Sequence, residues 1–423
     1  MGFERVLKDL CSRPLCTMFT QIGKKITEVE TPALLIDLDK FERNLKKLPQ
    51  SLHATNSPVK VRPHAKAHKC PTIAHMQVTH GAVGVCCQKL SEAESMVRLN
   101  YKYMAALVVG GIKDVLISNE IVGTSKLLRL ASLAKQARIS VCVDDIQNAR
   151  EMSQAAVSFG ATVDVIVEVN VGQDRCGVEP GDPVVILAKE IMALPNLVFK
   201  GIQTYQGWNQ HVRTFEDRKE AVGKVVDKTK KTLDALSANN IPCQVVTGGG
   251  TGTYTFEAAS RGKNTLHRKL EGLDEIIEAL FVCMVIYAFT EVQPGSYIFM
   301  DADYGRNFGK DGQPFDEFEQ SLYVLSTVIS VTPGNRAVLD AGIKAVSLDS
   351  GPPLVHDNPD VIYSNGGDEH GILRPSGDFK IGDQVWLLPG HCDPTVNMHD
   401  VFIGVRNGLV ESVWPITGRG PGV

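Results

Sequence analysis

Between about residue 60 and residue 300, short apolar runs rich in β-branched side chains alternate with amphipathic or Ala-rich stretches of roughly ten to twenty residues. That alternation is the pattern of βα units around a parallel sheet whose strands are buried on both faces. Eight strands are predicted, at 61–66, 83–87, 105–110, 139–144, 163–170, 197–205, 244–248 and 291–300. Helices are predicted between them at 91–100, Ile146–Phe159, 184–193 and Phe215–Ala238, the last closed by Asn239-Asn240 ahead of Ile241-Pro242. Eight such units make a (β/α)8 barrel more economical than a doubly wound sheet. After residue 300 the texture changes to Gly, Pro and Asp punctuation around short alternating runs at 323–331, Arg336–Leu339, Gln384–Leu388 and 401–405, which reads as an antiparallel β domain. The division expected is a barrel over 32–300 and a β-rich domain built from 1–31 plus 301–423. The early run 33–38, behind Thr31-Pro32, either leads into the barrel or pairs with the C-terminal sheet, and the second is favoured.

At 423 residues with 43% hydrophobic, 22% charged and 6% aromatic residues, the chain has the composition of a soluble globular protein with a sizeable core, which excludes disordered and collagenous classes. Lys+Arg 44 against Asp+Glu 48 leaves a net charge of −4 without long runs of one sign. Nothing there draws nucleic acid or an anionic membrane, so the expected partner is a small molecule. The ten cysteines are scattered, include the adjacent Cys86 and Cys87, and form no CxxC pairs at zinc-ribbon spacing, which fits a reducing compartment. The longest apolar run, 280–289, has ten residues, too few to span a bilayer. The N-terminus has no charged region followed by an apolar one, and Glu4, Asp9 and Glu28 count against a transit peptide, so the cytoplasm is the expected location.

Three segments carry candidate chemistry. Val61-Arg-Pro-His-Ala-Lys-Ala-His-Lys69 gathers three basic side chains and two imidazoles at the end of the first predicted strand, where a barrel presents its catalytic groups. Lys66, flanked by Ala65 and Ala67 and near further cations, is placed to have a lowered pKa and to act as a Schiff-base nucleophile; a solvated basic patch is the rival reading. Thr247-Gly-Gly-Gly-Thr-Gly-Thr253 follows the seventh strand, the position of many barrel phosphate sites, and fits neither the GxGxxG nor the GxxxxGK[ST] spacing. In Pro389-Gly-His-Cys-Asp-Pro394, His391 and Asp393 at i and i+2 would project from one side of an extended strand. One imidazole with one carboxylate makes an open site suited to Mn²⁺ or Mg²⁺, with Zn²⁺ as an alternative, while a capped turn is the bland reading. At the ends of strands five and six, Arg175 offers a cation for a pyridine ring or a carboxylate, Tyr205 can stack or hydrogen-bond, and His211 can move a proton.

Taken together, Thr31-Pro-Ala-Leu-Leu-Ile-Asp-Leu-Asp39, Arg62-Pro-His-Ala-Lys-Ala-His-Lys69, Tyr205-Gln-Gly207 with His211, Thr247-Gly-Gly-Gly-Thr-Gly252 and His391-Cys-Asp393 resemble the D-threonine aldolase and D-serine dehydratase family over nearly the whole chain from about residue 24. The resemblance implies an alanine racemase-like barrel with a β domain, pyridoxal 5′-phosphate (PLP) as cofactor and a homodimer. It makes Lys66 the Schiff-base lysine and puts Thr247, Gly248, Gly249, Gly250 and Thr251 at the PLP phosphate. It also puts Arg175 and Tyr205 beside the ring and His391 and Asp393 on a divalent metal. The dehydratase branch carries His-x-Cys where this chain has His391-Cys392-Asp393, which favours the aldolase branch. The implied reaction is retro-aldol cleavage of D-threonine and related D-β-hydroxy-α-amino acids to glycine and an aldehyde, with His211 as base. Asp368 is a weaker candidate for holding the metal site or His211. A D-serine dehydratase-type ammonia-lyase and a non-catalytic PLP-binding protein are the competing readings.

Relatives, on this pattern, pass almost directly from a stretch like Thr253 to Ser260 into one like Thr290 to Tyr297. Here 29 residues, 261–289, intervene. They begin as a basic amphipathic helix with Leu266, Leu270, Leu273, Ile276, Ile277 and Leu280 on one side. An unspliced segment and a lineage-specific helix packed on the barrel are the two explanations.

Overall fold

In the computed structural model the described residues are 21–98, 110–260 and 288–423. The chain enters through strand β1 (Ala33–Asp37) and helix α1 (Leu38–Ala54). Asp37 starts the helix by accepting hydrogen bonds from the amides of Asp39 and Lys40. The barrel strands then follow: β2 (Lys60–Val61), β3 (Val85–Cys87), β4 (Asp114–Glu120), β5 (Arg138–Val143), β6 (Val163–Glu168), β7 (Leu197–Gln203), β8 (Val245–Gly248) and β9 (Glu291–Val292). All eight are parallel, in the order β2-β9-β8-β7-β6-β5-β4-β3. The two ends meet through a bridge between His64 and Cys86 and a hydrogen bond from the Val83 amide to the Val61 carbonyl, so the sheet closes.

The outer helices are α2 (Pro71–Thr79), α3 (Leu90–Val97), α4 (Thr124–Ala134), α5 (Ile146–Phe159), α6 (Asp182–Ala193), α7 (Phe215–Ala238) and the short α8 (Tyr254–Ala259). Their ends obey local chemistry. Asp145 caps α5 by accepting from the Asn148 amide at 2.8 Å, and Gly160 closes it in the left-handed region at φ 56°. Thr214 caps α7. Around the N-terminal rim of the barrel runs a belt of ion pairs: Arg62 to Glu291 of β9 and Asp114 of β4, then Arg138 of β5 to Asp114 and to Asp164 of β6. The buried Arg62 guanidinium thus ties both sides of the barrel seam.

The second sheet contains β10 (Leu322–Thr332), β11 (Arg336–Leu339), β12 (Leu354–Val355), β13 (Ile362–Asn365), β14 (Gly371–Arg374), β15 (Gln384–Leu388), β16 (Val401–Arg406) and β17 (Leu409–Pro415), with the short helix α9 (Cys392–Met398) before β16. Strand β1 is its ninth member, antiparallel to β10 and parallel to β16. Both faces of β1 are covered: Leu34 and Ile36 join one core with α1, while Ala33 and Leu35 join another with Tyr323 and Leu325. An Ala-Leu-Leu-Ile run without alternation is what a strand buried on both sides needs.

Three sequence expectations are corrected here. The barrel's third strand is β4, not 105–110, most of which lies outside the described residues; Val115, Leu116 and Ile117 supply the buried β-forming run. The first and last barrel strands stop early because Pro63 and Pro294 cannot donate to the ladder, and the chain turns instead through 3₁₀ turns at Ala65–Ala67 and Ser296–Ile298. The expected boundary at residue 32 moves past α1, since β1 and α1 pack with the second sheet. The amphipathic helix expected in the 261–289 segment lies outside the described residues, as does all of 261–287; Ala288 and Phe289, the end of the apolar run, are buried in the barrel core. No helix among the described residues is long and apolar enough to cross a membrane, and the seven described cysteines are all free thiols.

Candidate active site

Lys66 sits in the middle of the 3₁₀ turn Ala65–Ala67 that follows β2. The rest of its motif builds that turn. The His64 ring accepts the Lys66 amide at Nδ1 and meets Ser118 Oγ through Nε2 at 3.2 Å. His68 Nδ1 accepts the Cys70 amide at 3.1 Å. Burial, with Lys66 beside it, holds His64 down to about 3, and burial holds His68 down to about 4, so both imidazoles are neutral supports. Arg62 is consumed by the ion-pair belt and Lys69 by Glu92 at 3.0 Å. Of the cations in this segment Lys66 alone points to the barrel mouth.

Its Nζ lies 3.4 Å from Asp393 Oδ2. Burial works against the Lys66 ammonium, but Asp393 and Tyr205 outweigh it and hold the pKa above the ordinary lysine value. This reverses the expectation of a lowered pKa: the neighbouring cations are neutralised elsewhere, and a carboxylate from the second domain faces the amine.

Asp393 and its neighbour His391 do not lie on an extended strand as expected. His391 has extended backbone, and helix α9 begins at Cys392, so the helical turn swings Asp393 inward. The carboxylate of Asp301 fixes this corner by accepting the Cys392 amide at Oδ2 and the Tyr304 amide at Oδ1, both at 3.0 Å. Asp349 takes His391 Nδ1 at 2.7 Å, which leaves Nε2 for another partner. Burial opposes the His391 cation, yet Asp393, Asp349 and Asp301 outweigh it and raise its pKa, while Lys66 and His391 hold Asp393 below its ordinary value against burial. A histidine whose second ring nitrogen is engaged by a carboxylate, next to a second carboxylate that faces the lysine, suits a metal ligand pair with its outer support.

Elsewhere on the same rim, the 3₁₀ turn Gly207–His211 after β7, capped by Gln206, presents His211. Its Nδ1 lies 2.5 Å from Asp303 Oδ2, and Arg213 Nη2 meets Asp303 Oδ1 at 2.5 Å. Burial would raise the Asp303 carboxyl, but the bonds from His211 and Arg213 win and bring it down to about 2. Asp368, expected as a support here, is exposed and pairs with Lys344. Asp303 and Asp349 do that work, at sequence separations of 92 and 42 residues. Only the Asp-x-Asp spacing in Asp301-Ala-Asp-Tyr304, directly after the last barrel unit, marked this stretch in the sequence. Tyr205 lies under Arg175, whose guanidinium carbon is 5.7 Å from the ring centroid.

The glycine loop after β8 is pressed against the barrel. A Cβ on Gly248 would come within 2.4 Å of the Thr204 carbonyl oxygen, and one on Gly250 within 2.6 Å of Gln210 Oε1. Gly249 has φ +71°. Gly252 donates to Gln210 Oε1 at 2.9 Å and Gly250 to Thr253 Oγ1 at 3.2 Å, whereas the amides of Gly249 and Thr251 have no partner among the described residues. The buried Thr204 hydroxyl beside the loop is also unpartnered. Thr247 is held from below by Gln293, which bridges to Gln203 and on to Glu168.

Comparison with known proteins agrees with this architecture. Residues 36–267 match the family described as alanine racemase, N-terminal domain, and residues 321–405 match the putative serine dehydratase domain. The chain is 43% identical over 405 residues, 95% of each chain, to a 3-hydroxy-D-aspartate aldolase of Paracoccus denitrificans (strain Pd 1222). It is 42% identical over 403 residues, again 95% of each, to a D-threonine aldolase of an Arthrobacter species. The crystal structure of a D-threonine aldolase from Filomicrobium marinum superposes with a TM-score of 0.80 at 43% identity, covering 94% of this chain and 98% of that one.

Proposed function

The chain belongs to the family of D-threonine aldolase and 3-hydroxy-D-aspartate aldolase, with an alanine racemase-type barrel ahead of a serine dehydratase-type domain, and on that premise we propose that it is a PLP- and metal-dependent aldehyde-lyase cleaving D-threonine and related D-β-hydroxy-α-amino acids. The observation that carries this reading is the meeting of Lys66, Asp393 and His391 at the mouth that also holds the His211–Asp303 pair.

The residues present fit the cofactor. Lys66 supplies the amine that anchors its aldehyde, and the unpartnered amides of Gly249 and Thr251, with the Thr204 hydroxyl, suit its phosphate. Arg175 and Tyr205, which lie against each other, are the side chains offered to the cofactor ring. Bound there, PLP supplies an electron sink for the pair released when Cα–Cβ breaks. His391 through Nε2 and Asp393 through a carboxylate oxygen suit a hard divalent ion, Mn²⁺ or Mg²⁺ before Zn²⁺, which supplies Lewis acidity at the β-oxygen. His211, with Nδ1 fixed by Asp303, offers Nε2 to take the β-hydroxyl proton, so the β-carbon leaves as an aldehyde carbonyl and Cα gains a proton to give glycine. The fold type also supports a homodimer, and the free thiols of the seven described cysteines fit a reducing compartment such as the cytoplasm.

The assay is direct. Purified protein with PLP, Mn²⁺ and D-threonine is expected to release acetaldehyde and glycine. Release of 2-oxobutyrate and ammonia would establish the dehydratase reading, which the match of residues 321–405 supports. Asp393→Ala is expected to retain PLP and lose turnover; turnover unchanged by this substitution would sink the metal assignment.

A further inference from the structure

The glycine loop rests on an acid. Glu257, in the first turn of α8, is 4% exposed, and its carboxyl is packed against Gly249: the Cβ that this glycine lacks would come within 2.9 Å of Glu257 Cδ and 3.1 Å of Oε2. Valence fixes what each oxygen does. Thr253 Oγ1 already accepts the Gly250 amide at 3.2 Å and Gln210 Nε2 at 2.9 Å, so its one proton goes to Glu257 Oε1 at 2.9 Å. Oε2 is buried and has no hydrogen-bond partner among the described residues. An orphaned oxygen costs far more on a buried carboxylate than on the uncharged acid. No charged side chain among the described residues offsets that cost. Helix α7 meets α8 through Phe215 against Phe256, Tyr254 of α8 is bonded to Glu317, and Glu291 of β9 is paired with Arg62. Burial accordingly lifts the Glu257 carboxyl to about 8, against the pull of its own amide and of the Thr253 hydroxyl.

What the loop itself offers is a place for an anion. The amides of Gly249 and Thr251 and the Thr204 hydroxyl are open, while Thr253 and Gln210 hold Gly250 and Gly252 in shape. The Thr253 hydroxyl that orders Gly250 ends on Glu257, so the acid is joined to the geometry of the loop as well as to its field. A negative charge against Gly249 opposes a phosphate dianion across a buried loop, where like charges a few ångströms apart repel strongly. An uncharged acid in the same place does not.

We propose that Glu257 is a protonated positioning residue of the phosphate cradle, whose loss of that proton weakens the loop's hold on a phosphate monoester dianion. Cofactor binding and proton retention by Glu257 are then coupled. The coupling is reciprocal: a phosphate in the loop keeps Glu257 protonated to higher pH, and an empty loop that has lost the proton takes the phosphate poorly. At pH 7 the empty loop is almost wholly in the receptive, protonated form, whereas at pH 9 only about a tenth of it is.

This inference rests on the cofactor reading above, and the experiment separates the two. Full-length wild type and Glu257→Gln, freed of PLP, are titrated with pyridoxine 5′-phosphate, which carries the phosphate but no aldehyde for Lys66. Calorimetry gives Kd at pH 7 and pH 9, both above the second pKa of a phosphate monoester, about 6. Ring ionisations of the probe and the titration of every other residue are common to both proteins, so the ratio of their Kd values isolates Glu257. Wild type is expected to match Glu257→Gln within about twofold at pH 7 and to bind about tenfold more weakly than it at pH 9. Wild type alone supplies a second reading, since unphosphorylated pyridoxine shares the ring ionisations: the affinity gained from the phosphate is expected to shrink about tenfold from pH 7 to pH 9. A Kd ratio that is the same at both pH values, whatever its size, would reduce Glu257 to a packing residue and overturn the proposal. If wild type binds pyridoxine 5′-phosphate no better than pyridoxine at either pH, the loop is no phosphate cradle, and the cofactor reading fails together with this inference.

Discussion

The imidazole of His211 owes its orientation to a carboxylate 92 residues further along the chain, and that single contact decides which ring nitrogen is available. With Asp303 ionised down to about pH 2, Nδ1 keeps the proton and Nε2 keeps the lone pair that can accept one. Asparagine at 303 can turn an N–H toward Nδ1, which favours the opposite tautomer and removes that lone pair. Asp303→Asn is therefore expected to lower kcat for D-threonine by roughly 10²-fold or more with KM nearly unchanged, and Asp303→Glu to restore part of it. Initial-rate kinetics read the split. A rise in KM at constant kcat would make Asp303 a substrate-binding group instead. Lys66 follows the same logic from the other side of the mouth: what controls it is not the local run of basic residues but Asp393, brought over by the second domain. Local sequence identified the amine; only the assembled fold reveals its counter-charge.

Elements show the same division between what is local and what is not. Helices α5 and α7 were legible to the residue because caps and apolar period agree at both ends. The Ala-Leu-Leu-Ile run of β1 reads as a buried strand, and the favoured pairing with the C-terminal sheet is the one the fold has, with both faces covered. Strand ends were misjudged where Pro63 and Pro294 divert the chain into turns, because hydrophobicity continues past the point at which pairing stops. For the site, Lys66, the glycine loop and His391-x-Asp393 are compact motifs, whereas Asp301, Asp303 and Asp349 have meaning only through partners from other elements. One close approach tests the barrel's own tolerance. A Cβ on Gly201 of β7 would sit 1.8 Å from the Val245 carbonyl oxygen of β8, next to the register shift between β6 and β7. No side chain yields there, only backbone, so Gly201→Ala is expected to destabilise the protein by about 3 kcal/mol or more and to lower Tm in a thermal melt. An unchanged Tm would mean that β7 and β8 can part locally without loss to the barrel.

At the scale of the whole molecule, burying titratable groups around a barrel mouth makes stability depend on pH from both directions. Glu168 and Glu257 are pushed up to about 8 by burial, with Glu120 adding to the effect on Glu168, so both are protonated in the folded protein and ionised in the unfolded chain above about 4.5. A raised folded pKa contributes stability that is complete below the unfolded value and is lost as pH rises toward 8. His64 and His68 act oppositely. Burial lowers them to about 3 and about 4 from 6.5, so their contribution is complete above 6.5 and lost as pH falls toward 3. Between about 4.5 and 6.5 the two pairs oppose each other, each group changing stability by up to about 1.4 kcal/mol per pH unit, and the sum is flat. Above 6.5 the acids titrate together with His391, whose raised pKa likewise contributes stability that is lost as pH rises, and stability falls. Below 4.5 the imidazoles remain, joined by Asp303, whose depressed pKa is lost on approaching 2. Tm of the holoprotein is accordingly expected to be level from about pH 4.5 to 6.5 and to decline on both sides. Glu257→Gln, which keeps the volume beneath Gly249 and removes one ionisation, is expected to shallow the alkaline decline by up to about half while leaving the acid side unchanged. A Tm that climbs steadily from pH 6.5 to 8 would contradict the assignment of neutral acids to the barrel floor, because ionised carboxylates at these positions would then have to be better solvated folded than unfolded.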